Sequence, residues 1–310
     1  MQETAVEIIP YDPDLAPALA RNFNDLTAAV PHCYGTDAET FAQALAGAVG
    51  GTGHKRLRDE SVLVARDQGT VLGFVHLGIE TAEKEDSVEI GIIRTLSFSH
   101  GSRAVGQALL ERAEAHLREH DMARVEASTS SYRYPFYHFP NAYLSDHLGH
   151  IQALYQFNGY QRISGEVFFD WDDYPLIIPA ANELAGDIRL VWEEGLGSRP
   201  GLQVQAHIDG EHIGTCESVS GGKYYPDAEA QDWHFTTWLG VNESFQGRRL
   251  GFYLLQRCLA ELRAIGYRHA SISTSWQNHR AFLFYSNFGY RMGDWTYGFG
   301  RDLVPEGAPS

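Results

Sequence analysis

The sequence predicts an α/β (α+β) protein built from two copies of one structural unit. Three observations carry this. A strand–turn–strand pattern occurs twice, as Ser61–Arg66, Asp67-Gln-Gly-Thr70 and Val71–Leu77, and again as Leu202–Ile208, Asp209-Gly-Glu211 and His212–Val219. A strand then feeds a glycine-bearing loop and a helix in each copy. Each copy also ends in a short helix with a tyrosine followed by a Gly-Tyr turn, Tyr155 with Gly159-Tyr160 and Tyr285 with Gly289-Tyr290.

The elements follow in order. Val6–Ile9 alternates as an opening strand, and Pro13–Leu26 and Ala38–Ala48 have room and pattern for two helices. After the first hairpin the acidic run Glu80–Asp86 reads as a solvated tip. Val88–Phe98 is a strand, Ser99–Ser102 a turn, Val105–Glu119 a helix and Ala123–Ser128 a strand. An aromatic insertion, Tyr132–Leu144, separates that strand from the closing helix; it is expected to be a lid, an interdomain contact or a dimer contact. Glu166–Trp171 closes the first half. In the second half, Ile188–Trp192 is followed by only Glu193–Gly201 before Leu202, which leaves no room for two helices. Trp233–Val241, the loop Asn242–Arg249, the helix Leu250–Ala264, the strand His269–Thr274 and the final strand Trp295–Phe299 complete it. The helix shows one apolar face at Leu254, Leu255, Cys258, Leu259 and Leu262. The expected domains are 1–171 and 187–310, joined by the Pro-bearing connection 172–186.

The chain has 310 residues, enough for two ordinary domains. Its net charge of -16 disfavours nucleic acid and anionic lipid as partners. No run of apolar residues is long enough for a membrane helix, and Met1–Glu7 lacks the basic and apolar regions of a secretory signal, so a cytoplasmic protein is expected. Cys33, Cys216 and Cys258 are odd in number and widely spaced, as reduced thiols would be.

The chemistry concentrates in Leu239–Gly251, a strand end running into Gln246-Gly-Arg-Arg-Leu-Gly251 and a helix start. Such a turn offers free backbone N–H groups and a positive dipole end to an anion. With Asn278-His-Arg-Ala-Phe-Leu-Phe-Tyr285 beyond it, the stretch resembles the acyl-CoA site of the GCN5-related N-acetyltransferases (GNAT). The resemblance covers both halves and implies two tandem GNAT-like domains, each a mixed, mostly antiparallel sheet flanked by helices. It implies acetyl-CoA as cosubstrate and transfer of an acetyl group by direct attack of a primary amine. It places CoA on Leu239, Val241, Gln246, Gly247, Arg248, Arg249, Leu250, Gly251, Asn278 and Ala281, with Tyr285 as general acid to the thiolate. The family's loop is usually Gln/Arg-x-x-Gly-x-Gly/Ala; this chain departs from it by placing Arg249 at the central glycine.

The first half carries a damaged echo. Leu96, Arg103, Ala104, Val105, Gly106 and Tyr155 match a second CoA site, but the leading Gln/Arg is missing and Leu148 aligns with Asn278. The resemblance therefore implies an active second half and a degenerate first. Glu217 and His234, on strands bordering the acceptor cleft, are candidates for the base, although neither has a spacing signature. No metal site is expected: His116 with His120, and His147 near His150, lack a third ligand. Gly50–Lys55 has the wrong spacing for a phosphate loop. The acceptor expected is a small-molecule amine, and a homodimer is compatible with the insertion. The rival readings are an active site in the first half and a CoA- or protein-binding module without catalysis.

Overall fold

The computed structural model describes residues 6–46, 57–81, 88–195 and 197–303. Its elements are β1 (Glu7–Pro10), α1 (Ala16–Thr27), α2 (Ala38–Leu45), β2 (Arg58–Asp67), β3 (Thr70–Glu80), β4 (Ile90–Phe98), α3 (Arg103–Glu119), β5 (Arg124–Ala127), β6 (Leu144–Ser145), α4 (Gly149–Phe157) and β7 (Gln161–Trp171). There follow β8 (Asp187–Glu193), β9 (Gly201–Ile208), β10 (Glu211–Ser220), β11 (Trp233–Val241), α5 (Leu250–Ala264), β12 (His269–Ser275), α6 (His279–Phe288) and β13 (Arg291–Asp302). The chain divides into two compact units, Met1–Glu166 with Asp294–Ser310, and Val167–Gly293. Gly50–Lys55 and most of the acidic run Glu80–Asp86 lie outside the described residues. Among the described residues no helix is long and apolar enough to cross a membrane.

In the first unit the strands run β1-β2-β3-β4-β5 and then the last part of β13. All these pairs are antiparallel except β4 with β5. The final strand, expected to close the second half, instead pairs Phe299 with Ala127 and Asp302 with Arg124, inside the first unit. Alternation alone shows that a strand exists but not which edge it joins. The two opening helices are present; α1 starts three residues later than its pattern suggested, and α2 starts where expected and ends at Leu45. Asp37 caps α2 by accepting from the Thr40 N–H at 2.7 Å. Leu19, Ala20 and Phe23 form the buried face of α1.

The aromatic insertion is core, which corrects the expectation of a lid or contact surface. Tyr132, Tyr134, Phe136, Tyr137 and Phe139 are all buried. Phe23 meets Tyr134 and Phe136 edge-on at 5.6 and 5.4 Å between ring centroids, and Phe41 packs on both. Arg133 Nη1 donates to the carbonyls of Tyr134, Tyr137 and His138, holding the irregular backbone that such a plug requires. An aromatic run looks the same whether it covers a core or caps a cleft.

In the second unit β8-β9-β10-β11 are antiparallel neighbours, and β12 joins β11 in parallel. The seven residues from Glu194 to Pro200 are the whole connection between β8 and β9, so the pair of helices that the first unit has after its opening strand has no counterpart here.

The two units share one device. The β3–β4 register slips between His76 and Leu77, leaving Arg94 unmatched, and the β10–β11 register slips between Glu217 and Ser218, leaving Thr237 unmatched. These are β-bulges, and each bends its strand. The parallel ladders stop just before them, at Ile93–Ala127 and Thr236–Ile272. Beyond each bulge, β4 and β11 run on without a parallel partner. Equivalent glycines face the ends of these strands: a Cβ on Gly73 would lie 2.2 Å from the Ser97 carbonyl, and one on Gly214 would lie 3.0 Å from that of Gly240.

Candidate active site

The divergence of β11 from β12 opens a cleft of about 1280 Å³, including its solvent-open part. Leu239, Gly240 and Val241 form one wall with the backbone edge that β12 does not cover. Gln246, Gly247, Arg249, Leu250 and Gly251 form the floor, and Asn278, Ala281 and Tyr285 the far side. The cleft thus brings together Tyr285 and nine of the ten residues that the sequence reading placed at CoA. Arg248 lies outside it, on an adjoining pocket of about 590 Å³ with Arg249, Phe252, Tyr253 and Ala180–Leu184.

The loop is built to leave donors open. Gln246 N–H bonds back to the Glu243 carbonyl and the Tyr253 N–H to Arg249, but no backbone acceptor meets the N–H groups from Gly247 to Phe252. Those groups sit at the first turn of α5, where an anion is favoured. Gln246 Nε2 donates to the Val241 carbonyl at 3.0 Å, tying the loop to the strand end. Asn242 Nδ2 donates to His212 and Asn182 Nδ2 to the Arg248 carbonyl. The last bond comes from the segment read as a mere connection.

Arg249 adopts φ 62° and ψ 14°, the left-handed region that glycine enters without strain. This explains why glycine is usual there. Its guanidinium lies 5.3 Å from the Phe252 ring centroid. Arg248, Arg249 and Arg280 surround a loop of a chain whose net charge is -16, a local reversal suited to an anion. Asn278 is the N-cap of α6 and accepts from the Ala281 N–H at 3.2 Å. Tyr285 is buried against Phe284, Phe169 and Tyr290, at 5.4, 5.7 and 6.2 Å between centroids, yet lines the cleft.

Phe245, Phe252, Arg280 and Phe284 also line the cleft and were not singled out from sequence. Arg280, two residues after Asn278, was the legible one. The two base candidates do not reach the cleft lining. His234 is fully buried between Tyr174 and Tyr267, and burial pushes its pKa down to about 3. A neutral ring enclosed by two tyrosines is packing. Glu217 stands on β10 opposite Trp238, facing away from α5.

The family model for the acetyltransferase (GNAT) family matches residues 148–290. That stretch, just under half of the chain, carries the GNAT match. Among solved structures, it resembles the GCN5-related glucosamine N-acetyltransferase region of a fungal multi-domain GH3 β-N-acetylglucosaminidase, at 15% identity and TM-score 0.64 over 97% of this chain. It spans 38% of that fungal protein's length. A tandem GNAT protein from the clavulanic acid biosynthesis pathway matches at 16% identity and TM-score 0.63, covering 97% of this chain and all of the other. A GCN5-related N-acetyltransferase from Sphaerobacter thermophilus matches at 14% and 0.57, over 97% of this chain and 96% of that one. At such identities the likeness is one of fold, here a tandem GNAT fold. No curated protein matches significantly.

The first GNAT unit does not gather its matching residues into an open cleft. Its loop is four residues, Ser99–Ser102, where the second unit has eight, Asn242–Arg249. Phe98 covers the helix start, so that a Cβ on Gly106 would lie 2.5 Å from its ring; at Gly251 the nearest atom is Val241 Cγ2 at 3.6 Å. His150 Nε2 bonds the Phe98 carbonyl at 2.9 Å, as Gln246 Nε2 bonds the equivalent Val241 carbonyl, so the Phe98 ring and not this bond separates the two units. Val105 is buried, and Arg103 stacks over Phe157 at 4.3 Å. Tyr155 is wholly enclosed by Tyr160 and Phe299, and burial pushes its pKa up. Leu96 lines a smaller cavity of about 440 Å³, walled by the insertion residues Arg133, Tyr134 and Tyr137.

Proposed function

We propose that the cleft of the second unit transfers an acetyl group from acetyl-CoA to a primary amine of a small-molecule acceptor. The observation that carries this reading is the meeting, in one cleft, of a strand edge that no strand covers, a turn of unbonded N–H groups and a tyrosine. The edge of Leu239–Val241 suits the amide-bearing pantetheine arm, which would add to it as a strand does. Gly247–Gly251 suits the pyrophosphate. Arg248 and Arg249, with the pocket under Ala180–Leu184, suit the adenosine end and its phosphate.

The amine nitrogen attacks the thioester carbonyl directly. As the tetrahedral intermediate collapses, the C–S bond breaks and Tyr285 gives its proton to the departing thiolate. No side chain is assigned as base; the ammonium loses its proton to solvent in the open cleft. The acidic balance of the chain favours a cationic or neutral small acceptor over nucleic acid or an anionic membrane. Tyr285→Phe tests the assignment. Turnover should fall by about 10²-fold or more, while CoA affinity by titration stays within about twofold. An unchanged kcat would remove Tyr285 from the reaction.

A further inference from the structure

Outside the cleft, in the first unit, two carboxylates and an imidazole converge. One ligand atom each from Asp146, His147 and Asp294 lies within 4.8 Å of the other two. Asp294 is the unusual member. Its side chain has no exposed surface, and no hydrogen-bond donor meets either carboxylate oxygen at bonding geometry. The Ser145 hydroxyl and the Asp146 N–H stand near enough to ease its charge, but neither reaches bonding geometry, and burial still raises its pKa. Burying a carboxylate without a donor or a positive partner is costly, and such groups are ordinarily paired or metal-bound. Among the described residues no lysine or arginine forms an ion pair with Asp146 or Asp294.

The surroundings orient the group without neutralising it. The Phe139 N–H donates to His138 Nδ1 at 2.8 Å, so the neutral ring carries its proton on Nε2. That nitrogen faces Asp294 Oδ2 at 3.4 Å. A buried histidine aimed at a ligating carboxylate is the kind of outer support that metal sites use. The other two ligands are adjacent in the 3-10 turn Asp146–Leu148, whose cap Ser145 accepts from the His147 N–H at 3.1 Å. Ser145 is in register with Thr296 of β13, which holds the turn against the strand that carries Asp294.

We propose that Asp146, His147 and Asp294 form a site for a divalent transition ion, Zn²⁺ or Mn²⁺, that fastens the turn before α4 to β13. One imidazole with two carboxylates is the donor set of such ions, the remaining positions being left to water. Tetrahedral donors stand roughly 3.4 Å apart with bonds of ~2.1 Å. Asp146 and His147 are both exposed and can close that distance by rotation. The site was invisible in the sequence because its third ligand comes from the far end of the chain. His150, the neighbour considered for His147, is bonded to Phe98 instead.

The test is titration of the EDTA-treated, dialysed full chain with ZnCl₂ and MnCl₂, by calorimetry and by thermal unfolding. One ion per chain should bind and raise Tm. His147→Ala, which changes an exposed residue only, should weaken binding at least ~10-fold while leaving the metal-free Tm unchanged. Asp294→Asn should abolish binding, and His116→Ala should do nothing. The proposal is overturned if neither ion binds below about 100 µM, or if His147→Ala binds as the parent does. Loss on His116→Ala instead would place the ion on scattered surface histidines and overturn it equally. None of these outcomes depends on acetyl transfer.

Discussion

Arg249 is the position at which the loop departs from its family, and Arg249→Gly separates two consequences of that departure. The residue holds φ 62°, at a cost of about 1–2 kcal/mol for a non-glycine side chain. Glycine removes that strain but gives back about 0.4–1 kcal/mol through the greater freedom of the unfolded chain. It also loses the guanidinium over Phe252, worth about 0.5–1 kcal/mol at an exposed site. These nearly cancel, so urea midpoints should move by less than ~1 kcal/mol equivalent. CoA affinity should move much more. Loss of one hydrogen bond to a charged group, about 1.5–3 kcal/mol, corresponds to a roughly 10- to 150-fold weaker Kd. Calorimetry with CoA and with dephospho-CoA is the assay, at low and high salt. The variant should lose most of its discrimination between the two ligands and most of its salt dependence. If Arg249→Gly binds CoA as tightly as the parent or tighter, the side chain only obstructs the phosphates, and the contact assigned to it does not exist.

Other perturbations have definite outcomes. Gly251→Trp should fill the cleft floor and abolish CoA binding with the fold intact, whereas Gly106→Trp should drive a ring into Phe98, destabilise the first unit and leave CoA affinity in the surviving folded protein unchanged; calorimetry beside thermal unfolding reads both. His234, with its folded pKa near 3 against an unfolded value near 6.5, binds its proton in the unfolded state first. Stability should therefore be complete above pH ~6.5 and fall by up to ~1.4 kcal/mol per pH unit below it; His234→Phe should flatten that slope in urea titrations between pH 7 and 4. Phe139→Ala, at a fully buried insertion residue, should cost about 3–5 kcal/mol. A surface lid would show almost no loss in the same denaturation experiment.

Local chemistry was legible in the sequence, and edges were not. The equivalences Gly73 with Gly214, Tyr155 with Tyr285 and the two Gly-Tyr turns rest on short-range needs. Gly159 and Gly289 have φ of 84° and 132°, and Gly73 and Gly214 face carbonyls that leave little or no room for a Cβ. Such requirements are written into single positions. The strand Trp295–Phe299 was equally visible, but its partner β5 is separated from it by more than half the chain, and nothing in an alternating pattern names a neighbour. Tyr132–Leu144 was recognised as an insertion and misjudged as surface for a related reason: burial is decided by α1 and α2, which supply Phe23 and Phe41. Asp294, buried among Asp146, His147 and His138, belongs to the same class of long-range fact.

The contrast between the units shows what keeps a CoA-type cleft open. Both have the bulge, the interrupted parallel ladder, the helix behind the loop and the closing tyrosine, so strand divergence alone does not suffice. They differ in the reach of the loop and in what fills the divergence. Four residues between β4 and α3 bring the Phe98 ring down onto the helix start. Eight residues between β11 and α5 allow a left-handed turn at Arg249, which aims consecutive N–H groups outward and leaves Val241 at ordinary contact with Gly251. Loop length therefore decides whether the unbonded groups of the fold face a ligand or are covered by a side chain of the strand itself. By this argument, grafting Asn242–Arg249 in place of Ser99–Ser102 is insufficient while the Phe98 ring covers Gly106; the graft should bind CoA in the first unit only when combined with Phe98→Val, the residue type that Val241 supplies at the equivalent register position.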